Sequence, residues 1–420
     1  FTGDLIVRRP VLSSPRPMPP ASPSSPAARR ALRLQAALLV AQIAYGLVAM
    51  AICLPSMQEW GAILDASPSA VQLTFSAYVL AYGALQLVYG PLSDRLGRRP
   101  LMRVGLALAA IASVAGAFAT TIEALVAARI VQGAGCAAST VLGRAAVQDL
   151  FDGPERTRVM AYVGMAMGLC PPLATVVGGQ LHARVGWQAN FVLLAAMGTL
   201  LWIATFRQRA DGGRRAAPRT HWLGEMGASY ARLMREPAFV RNVAVLALSV
   251  GAFYAFLAGA PLVLKSYGVG PADVGFYVML VPLSYIFGNW LTSRYVRRRG
   301  DAWMRNAGQA LSVLGIVAML GLALLEWRSG WAFAAPLMLL GIGHGLLIPP
   351  TLGATVGLLP ALAGAAAAVA GVMQQFVGAL GGYAVGWVPQ DGPVGLGLLM
   401  LAFTLAGVAA QRGSMGARPG

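Results

Sequence analysis

Ionisable residues are scarce in the apolar stretches of this sequence, so each one found there needs a reason. Between Gly90 and Pro100 the chain reads Gly-Pro-Leu-Ser-Asp-Arg-Leu-Gly-Arg-Arg-Pro, with one carboxylate, Asp94, among Arg95, Arg98 and Arg99. Arginines there would anchor to anionic lipid headgroups, while Gly90 and Pro91 make a tight turn. Such a loop does not need an aspartate. Asp94 suits a breakable contact, because a helix N-terminus attracts a carboxylate and an apolar helix is expected to begin near Gly364 on the same side. That contact would latch two halves of the molecule together at one end.

Two arginines fall inside an apolar run: Arg129 in Leu125-x-x-x-Arg129-x-x-Gln132-Gly133-x-Gly135, and Arg144 in the string Gly143 to Phe151, which also holds Gln148 and Asp149. An arginine inside a membrane span costs about 2.5 to 3.5 kcal/mol on insertion scales, so its default reading is functional. The other reading of Arg129 places it near the outer interface, snorkelling towards Glu123. His344 lies midway along a run containing Gly341, Gly343 and Gly345. It can be a group that exchanges protons near neutral pH, or a structural histidine donating one hydrogen bond. Cys53, Cys136 and Cys170 read as small apolar fillers. With no phosphate-binding Gly-x-x-x-x-Gly-Lys-Ser/Thr loop and no Ser/His/Asp or metal cluster, the chain is not expected to be an enzyme, to use a cofactor or to hold a metal.

The elements that must position these residues follow from composition. Hydrophobic residues make up 57% of the 420, charged residues only 11%, and mean hydropathy is +0.65. Soluble domains carry about 25% charged residues, so a string of soluble domains is excluded. Twelve runs are long enough to cross a bilayer as helices: 34–56, 71–89, 101–119, 123–147, 158–181, 187–206, 240–262, 271–292, 304–325, 331–359, 364–386 and 393–411. The net charge of +17 would suggest nucleic acid in a soluble chain, yet 27 of the 32 basic residues fall in loops on one side of these spans. Positive charge marks the cytoplasmic side, so both termini are expected inside and no nucleic-acid partner is expected.

The boundaries follow. Residues 1–33, rich in Pro, Ser and Arg, are expected to be a disordered cytoplasmic N-terminus, and 34–206 a first bundle of six helices. A linker over 207–239 is expected to lay an amphipathic helix on the membrane surface, and 240–411 to form a second bundle before a tail over 412–420. The chain opens on Phe1, Met18 is read as its initiator, and no cleavable signal peptide is expected.

Small residues in Gly164-x-x-x-Gly168-x-x-Pro171-Pro172-x-x-x-x-x-Gly178-Gly179 permit close helix approach, and Pro172 bends the span. Tyr78, Tyr82, Gln86 and Tyr89 share one helical face, and Phe253, Tyr254 and Phe256 cluster in the seventh span. Stripes of this kind line pockets less often than they pack.

The Gly90 to Pro100 string resembles the signature of the major facilitator superfamily, in which G-x-x-x-D-R-x-G-R-R joins helices 2 and 3. Ser293-Arg294-x-x-Arg297-Arg298 is similar to the degenerate copy between helices 8 and 9, with Ser293 replacing the carboxylate. The Arg129 string is similar to the helix 4 motif whose arginine is linked to proton transfer in the family's proton-coupled exporters. The Gly164 to Gly179 string resembles its antiporter motif, with Thr175 where relatives often have a second proline. Gly143 to Phe151, residues 67–99, Gly186-Trp187 and Gly371-x-x-Gln374-x-x-x-Gly378-x-x-Gly381 are similar to the bicyclomycin/chloramphenicol-resistance branch of drug:proton antiporters. The resemblance covers about residues 34 to 410 and is strongest in the first half.

It implies an all-α membrane protein, twelve transmembrane helices in two pseudo-symmetric six-helix bundles, with a cavity lined by helices 1, 4, 7 and 10. Gly90, Asp94, Arg95, Gly97, Arg98 and Arg99 would form a gating loop. Arg129, Gln132, Gly133, Arg144, Asp149 and His344 would serve proton coupling or the cavity, and Gln42, Tyr45, Tyr78, Tyr82, Tyr254 and Gln374 would touch substrate. Branch members commonly carry an aspartate in helix 1 shortly before a Leu-Pro pair. Here the pair is Leu54-Pro55 and the aligned residue is Ala51, which leaves no acid in the middle of any span and favours a neutral or anionic substrate. The expected function is proton-coupled efflux of small hydrophobic or amphipathic compounds, drugs included, by a monomer in the bacterial inner membrane, with the lipid bilayer, protons and a small molecule as partners. Export or exchange of a metabolite, such as a sugar, an amino acid or a siderophore, stays open on the same fold. A receptor built on it would be expected to carry a longer cytosolic domain.

Overall fold

A computed structural model describes residues 26–206, 222–389 and 392–412; the N-terminal 25 residues, most of the basic part of the linker and the tail beyond Arg412 lie outside these. The first half consists of α1 (Pro26–Ala51), a short α2 (Met57–Ile63), α3 (Pro68–Leu96), α4 (Arg98–Ala117), α5 (Ile122–Leu150), α6 (Gly153–Val185) and α7 (Gln188–Thr205). After α8 (Trp222–Met234) come α9 (Pro237–Ser266), α10 (Pro271–Val278), α11 (Leu280–Leu324), α12 (Gly330–Gly357), α13 (Ala363–Ala384) and α14 (Pro393–Arg412). Eleven stretches are long and apolar enough to span a membrane, and one of them, Pro271–Leu324, runs 54 residues. It turns back at Gly300, where φ is 78° and ψ is 161°, so the described residues cross twelve times.

Apolar runs become helices here because a bilayer offers no water to satisfy backbone groups. Prolines in the first turn start α3, α6, α9 and α10, where the missing N–H is not needed. Ser67 and Thr121 cap α3 and α5 by accepting from the backbone N–H of Ala70 and Ala124.

Four boundaries differ from the sequence reading. The helix begins at Pro26, inside the segment expected to be disordered to residue 33, because Ala-Ala-Arg-Arg-Ala-Leu-Arg-Leu is a run of strong helix formers behind an N-terminal proline. The first span ends at Ala51, and Leu54-Pro55 forces a turn before α2. Gly90 and Pro91 stay inside α3, so the tight turn assigned to them falls instead at Gly97, whose φ of 89° suits glycine. The expected loop between the eighth and ninth spans is helical on both sides of Gly300.

Apolar packing differs at the two ends. One continuous buried cluster joins both bundles at the end away from the basic loops, through Trp60, Val71 and Phe75 of the first and Tyr254, Phe256 and Leu264 of the second, and runs on inside the first bundle to Tyr89, Leu101 and Met102. At the basic end there are two separate clusters, one per bundle: Leu39, Val147, Phe151 and Val159 in the first, and Leu233, Phe239, Leu246 and Ala366 in the second. Leu233 comes from α8, so that helix is docked onto the second bundle by a buried side chain.

Candidate functional site

The two bundles are joined at the end opposite the basic loops, the outer end if positive charge marks the cytoplasmic side, by amides that reach backbone carbonyls. Gln58 Nε2 donates to the carbonyls of Pro261 (2.5 Å) and Val269 (3.3 Å), and Lys265 Nζ donates back to the carbonyl of Gln58 (2.6 Å). Gln72 Nε2 donates to Ala258 O, and Gln180 Nε2 to Ala272 O. The turn that presents Gln58 is itself held. His182 of α6 bonds Ser56 Oγ through Nδ1 and Glu59 Oε2 through Nε2, both at 2.9 Å, and Asn190 Nδ2 donates to Ser56 Oγ. Beneath that turn, Trp60 packs edge-on to Trp187, with ring centroids 5.8 Å apart.

The antiporter-like string forms part of this seam. A Cβ on Gly179 would collide with the carbonyl of Pro271 across the bundles, and one on Gly178 with the carbonyl of Ile52. Gly168 faces Ile286 of α11. Pro172 is buried and its carbonyl accepts from Thr175 Oγ1, while Pro171 is half-buried. Gly164, nearer the basic end, would meet nothing within 4 Å.

The basic end is open. A Cβ on Gly90, Gly353, Gly357, Gly364 or Gly371 would likewise meet nothing within 4 Å. Asp94 has helical backbone, but its side chain lies outside the described residues, so the expected latch onto the helix near Gly364 cannot be placed. Arg98 is held by Asp149 at 2.6 Å, which ties the start of α4 to the end of α5 within one bundle. Asp149 is therefore an ion-pair partner at the basic end rather than a group in the cavity. Arg95 is exposed and Arg99 half-buried.

Between the two ends lies a polar layer. Tyr254 Oη donates to Gln375 Oε1 (3.0 Å), and Gln375 packs against Gly83 of α3. Phe75 meets Tyr254 edge-on, closing the gap between α3 and α9. Gln374, the neighbour singled out from sequence, donates instead to the carbonyl of Ala370 in its own helix.

Several expected substrate contacts prove to be bundle packing. Tyr45 is buried with its hydroxyl donating to Leu194 O, and Tyr78 donates to Gly46 O. Tyr82 donates to Thr140 Oγ1, and Gln42 is fully buried. Tyr78 and Tyr82 of α3 face α1 and α5, not open space. Arg129 is only 2% exposed and does not snorkel towards Glu123. Its guanidinium donates to Ala49 O, Thr74 O and Gln132 Oε1 and lies 4.2 Å over the Tyr78 ring. Gln132 passes the network on to Ser113, and Gly133 lets the backbone of Tyr78 approach. His344 is 4% exposed, on the same face of α12 as Phe333, which stacks on Phe256 of α9. The glycines around it admit α11: Gly341 lies against Ser284, Gly343 against Gly308, and Gly345 against Gly288.

Sequence reasoning missed Ser56, Gln58, Glu59, Gln72, His182, Lys265 and Gln375. Ser56, Gln58 and Glu59 share one short turn, the others are scattered along the helices, and only the fold brings their partners to them across more than 100 residues. The one available signal was the turn-forming Leu54-Pro55, followed at once by an amide and an acid.

The chain also resembles known proteins. Residues 36–382 match the family model described as Major Facilitator Superfamily. Multidrug resistance protein D of Escherichia coli is 28% identical over 372 residues, covering 86% of this chain and 91% of the relative. A chloramphenicol resistance protein of Pseudomonas aeruginosa is 27% identical over 299 residues, 70% of each chain. Among solved structures, the xylose transporter of E. coli in a partially occluded inward open conformation superposes with a TM-score of 0.71 at 14% identity, covering 93% of this chain and 98% of the other.

Proposed function

This chain belongs to the major facilitator superfamily, and on that premise we propose that it exports small hydrophobic or amphipathic compounds, drugs included, in exchange for protons across the bacterial inner membrane. The observation that carries the reading is the asymmetry of its two ends: one apolar core and five side-chain hydrogen bonds seal the bundles at one end, and separate cores leave them apart at the other. That is one half of an alternating-access cycle, in which rocking of the bundles about a midplane site exchanges the open end. With the basic loops on the cytoplasmic side, both termini lie inside and the described state faces inward. The names of the two relatives, multidrug resistance and chloramphenicol resistance, support drugs as cargo.

The unit of transport is a single chain, since one copy supplies both bundles. Ala51 leaves the middle of the first span without an acid, so the coupling proton needs another carrier, and His344 is our candidate in the spans. Its test is proton uptake by purified protein on substrate release, which His344→Ala should abolish. The export reading itself is tested in proteoliposomes: an outwardly directed drug flux, measured with radiolabelled chloramphenicol, should follow an imposed pH gradient and collapse with an ionophore. No gradient-driven movement of chloramphenicol or of a wider drug panel, beside a metabolite accumulating in a deletion strain, would point to metabolite export on the same fold.

A further inference from the structure

The two arginines within α5 have opposite surroundings. Arg129 has acceptors on three sides and an aromatic ring beneath it, so its charge is fully used inside the bundle. Arg144 is half-buried, and its Nη2 donates to the thioether of Met167, 3.0 Å away. Among the described residues it belongs to no ion pair. A thioether is a weak acceptor, whereas a guanidinium offers five donors in a plane that suits paired oxygens. An arginine retained in a span without a carboxylate is costly to keep for packing alone.

Its position decides what it can meet. α3 and α6 flank the first bundle, because α3 packs on α13 and α6 on α10 of the second. Arg144 lies one helical turn from Thr140, which Tyr82 of α3 bonds, yet touches Met167 of α6. A side chain that reaches from one flank towards the other must cross the inner face of the bundle, the face turned to the second half. Tyr82 bonds Thr140, one helical turn above Arg144, and the Tyr254–Gln375 layer closes the seam beyond it. Arg144 is thus placed just inside the ceiling of the open end, with Met167, itself 36% exposed, as a displaceable neighbour.

We infer that Arg144 is the substrate-recognition cation of this transporter, and that it selects compounds bearing acceptor oxygens, such as carboxylates, nitro groups and amide carbonyls, over organic cations. This rests on the export reading and narrows it. A substrate oxygen would replace the Met167 sulfur on the guanidinium, while the apolar body lies against the exposed faces of α5 and α6.

Three probes with one aromatic body test it: 2-naphthoate, 2-naphthamide and 2-naphthylmethylammonium, titrated against purified full-length protein by quenching of tryptophan fluorescence. Wild type should bind in the order naphthoate, naphthamide, ammonium. Arg144→Gln should lose about tenfold or more in naphthoate affinity, in keeping with one charge-assisted hydrogen bond, and little for the ammonium. Arg144→Lys should keep the order at reduced affinity, and this guards against a variant that merely misfolds. An ammonium-first order, no order, or equal naphthoate binding by wild type and Arg144→Gln overturns the inference. Arg144-dependent binding without pH-driven flux would sink the export reading alone. Flux of naphthamide that is identical in wild type and Arg144→Gln would sink only the role of Arg144.

Discussion

The outer and basic ends of this molecule are built from the same helices and hold together in different ways. At the outer end, glutamine amides and one lysine donate to carbonyls across the seam, and small residues bring backbone within reach of backbone. At the basic end, the ion pair Arg98–Asp149 stays within one bundle, and the apolar clusters do not meet. The neutral amides contribute only about 0.5 to 1.5 kcal/mol each, because water replaces them readily, and the charged Lys265 donor is exposed to the same water. A seam made this way is firm in sum and reversible in parts, as a gate must be. The Arg129 network, which holds α1, α3 and α5 together, has no solvent-facing step and so travels with its bundle.

Four variants would break or sharpen that contrast. The largest effect is expected from Gly179→Leu, because the colliding atom is the backbone carbonyl of Pro271, which cannot yield as a side chain would. A cost of about 3 kcal/mol, at the upper end for overpacking, should prop the outer seam open. Spin-label distances between α3 and α13 at that end should lengthen, and flux should fall. Next, the pair Gln58→Ala with Lys265→Met removes three bonds and should shift the equilibrium towards an open outer end by about 1 to 2 kcal/mol, read from the same distances. If the distances do not change, the polar clasp has no part in gating. His182→Ala frees the turn that presents Gln58 without touching the seam itself, so about 1 kcal/mol of bias and faster hydrogen exchange over residues 52–60 are expected. The smallest effect belongs to Asp149→Asn. The pair is partly exposed and lies within one bundle, so thermal stability should fall by no more than about 0.5 kcal/mol and the outer distances should not move.

How far the sequence could be read depended on whether a feature repeats locally. Apolar runs, first-turn prolines and Arg-rich loops are local, and they gave twelve crossings and the division into halves. Arg98 and Asp149 were each singled out, and the fold joins them. The tyrosines of α3 show the limit: their periodicity is real, but it marks the face that packs on α1 and α5, and no spacing rule distinguishes that from a cavity wall. Gln58, Gln72 and Gln375 have no periodicity, and their partners lie 121 to 211 residues away. Gly90 and Pro91 misled because a membrane helix tolerates a proline that a soluble one would usually end at.

Lys265 is the only lysine in the chain. Apart from the N-terminal amine, an acylating reagent has a single target, and that target donates to Gln58 while the outer end is shut. Lys265 is exposed even then, so one hydrogen bond is all that restrains its amine, and the rate of modification should rise as the clasp opens. A modified chain, stripped of that charge and of all but one of its donors, would rejoin its halves more slowly, and a population of such chains would drift towards the opposite face of the cycle.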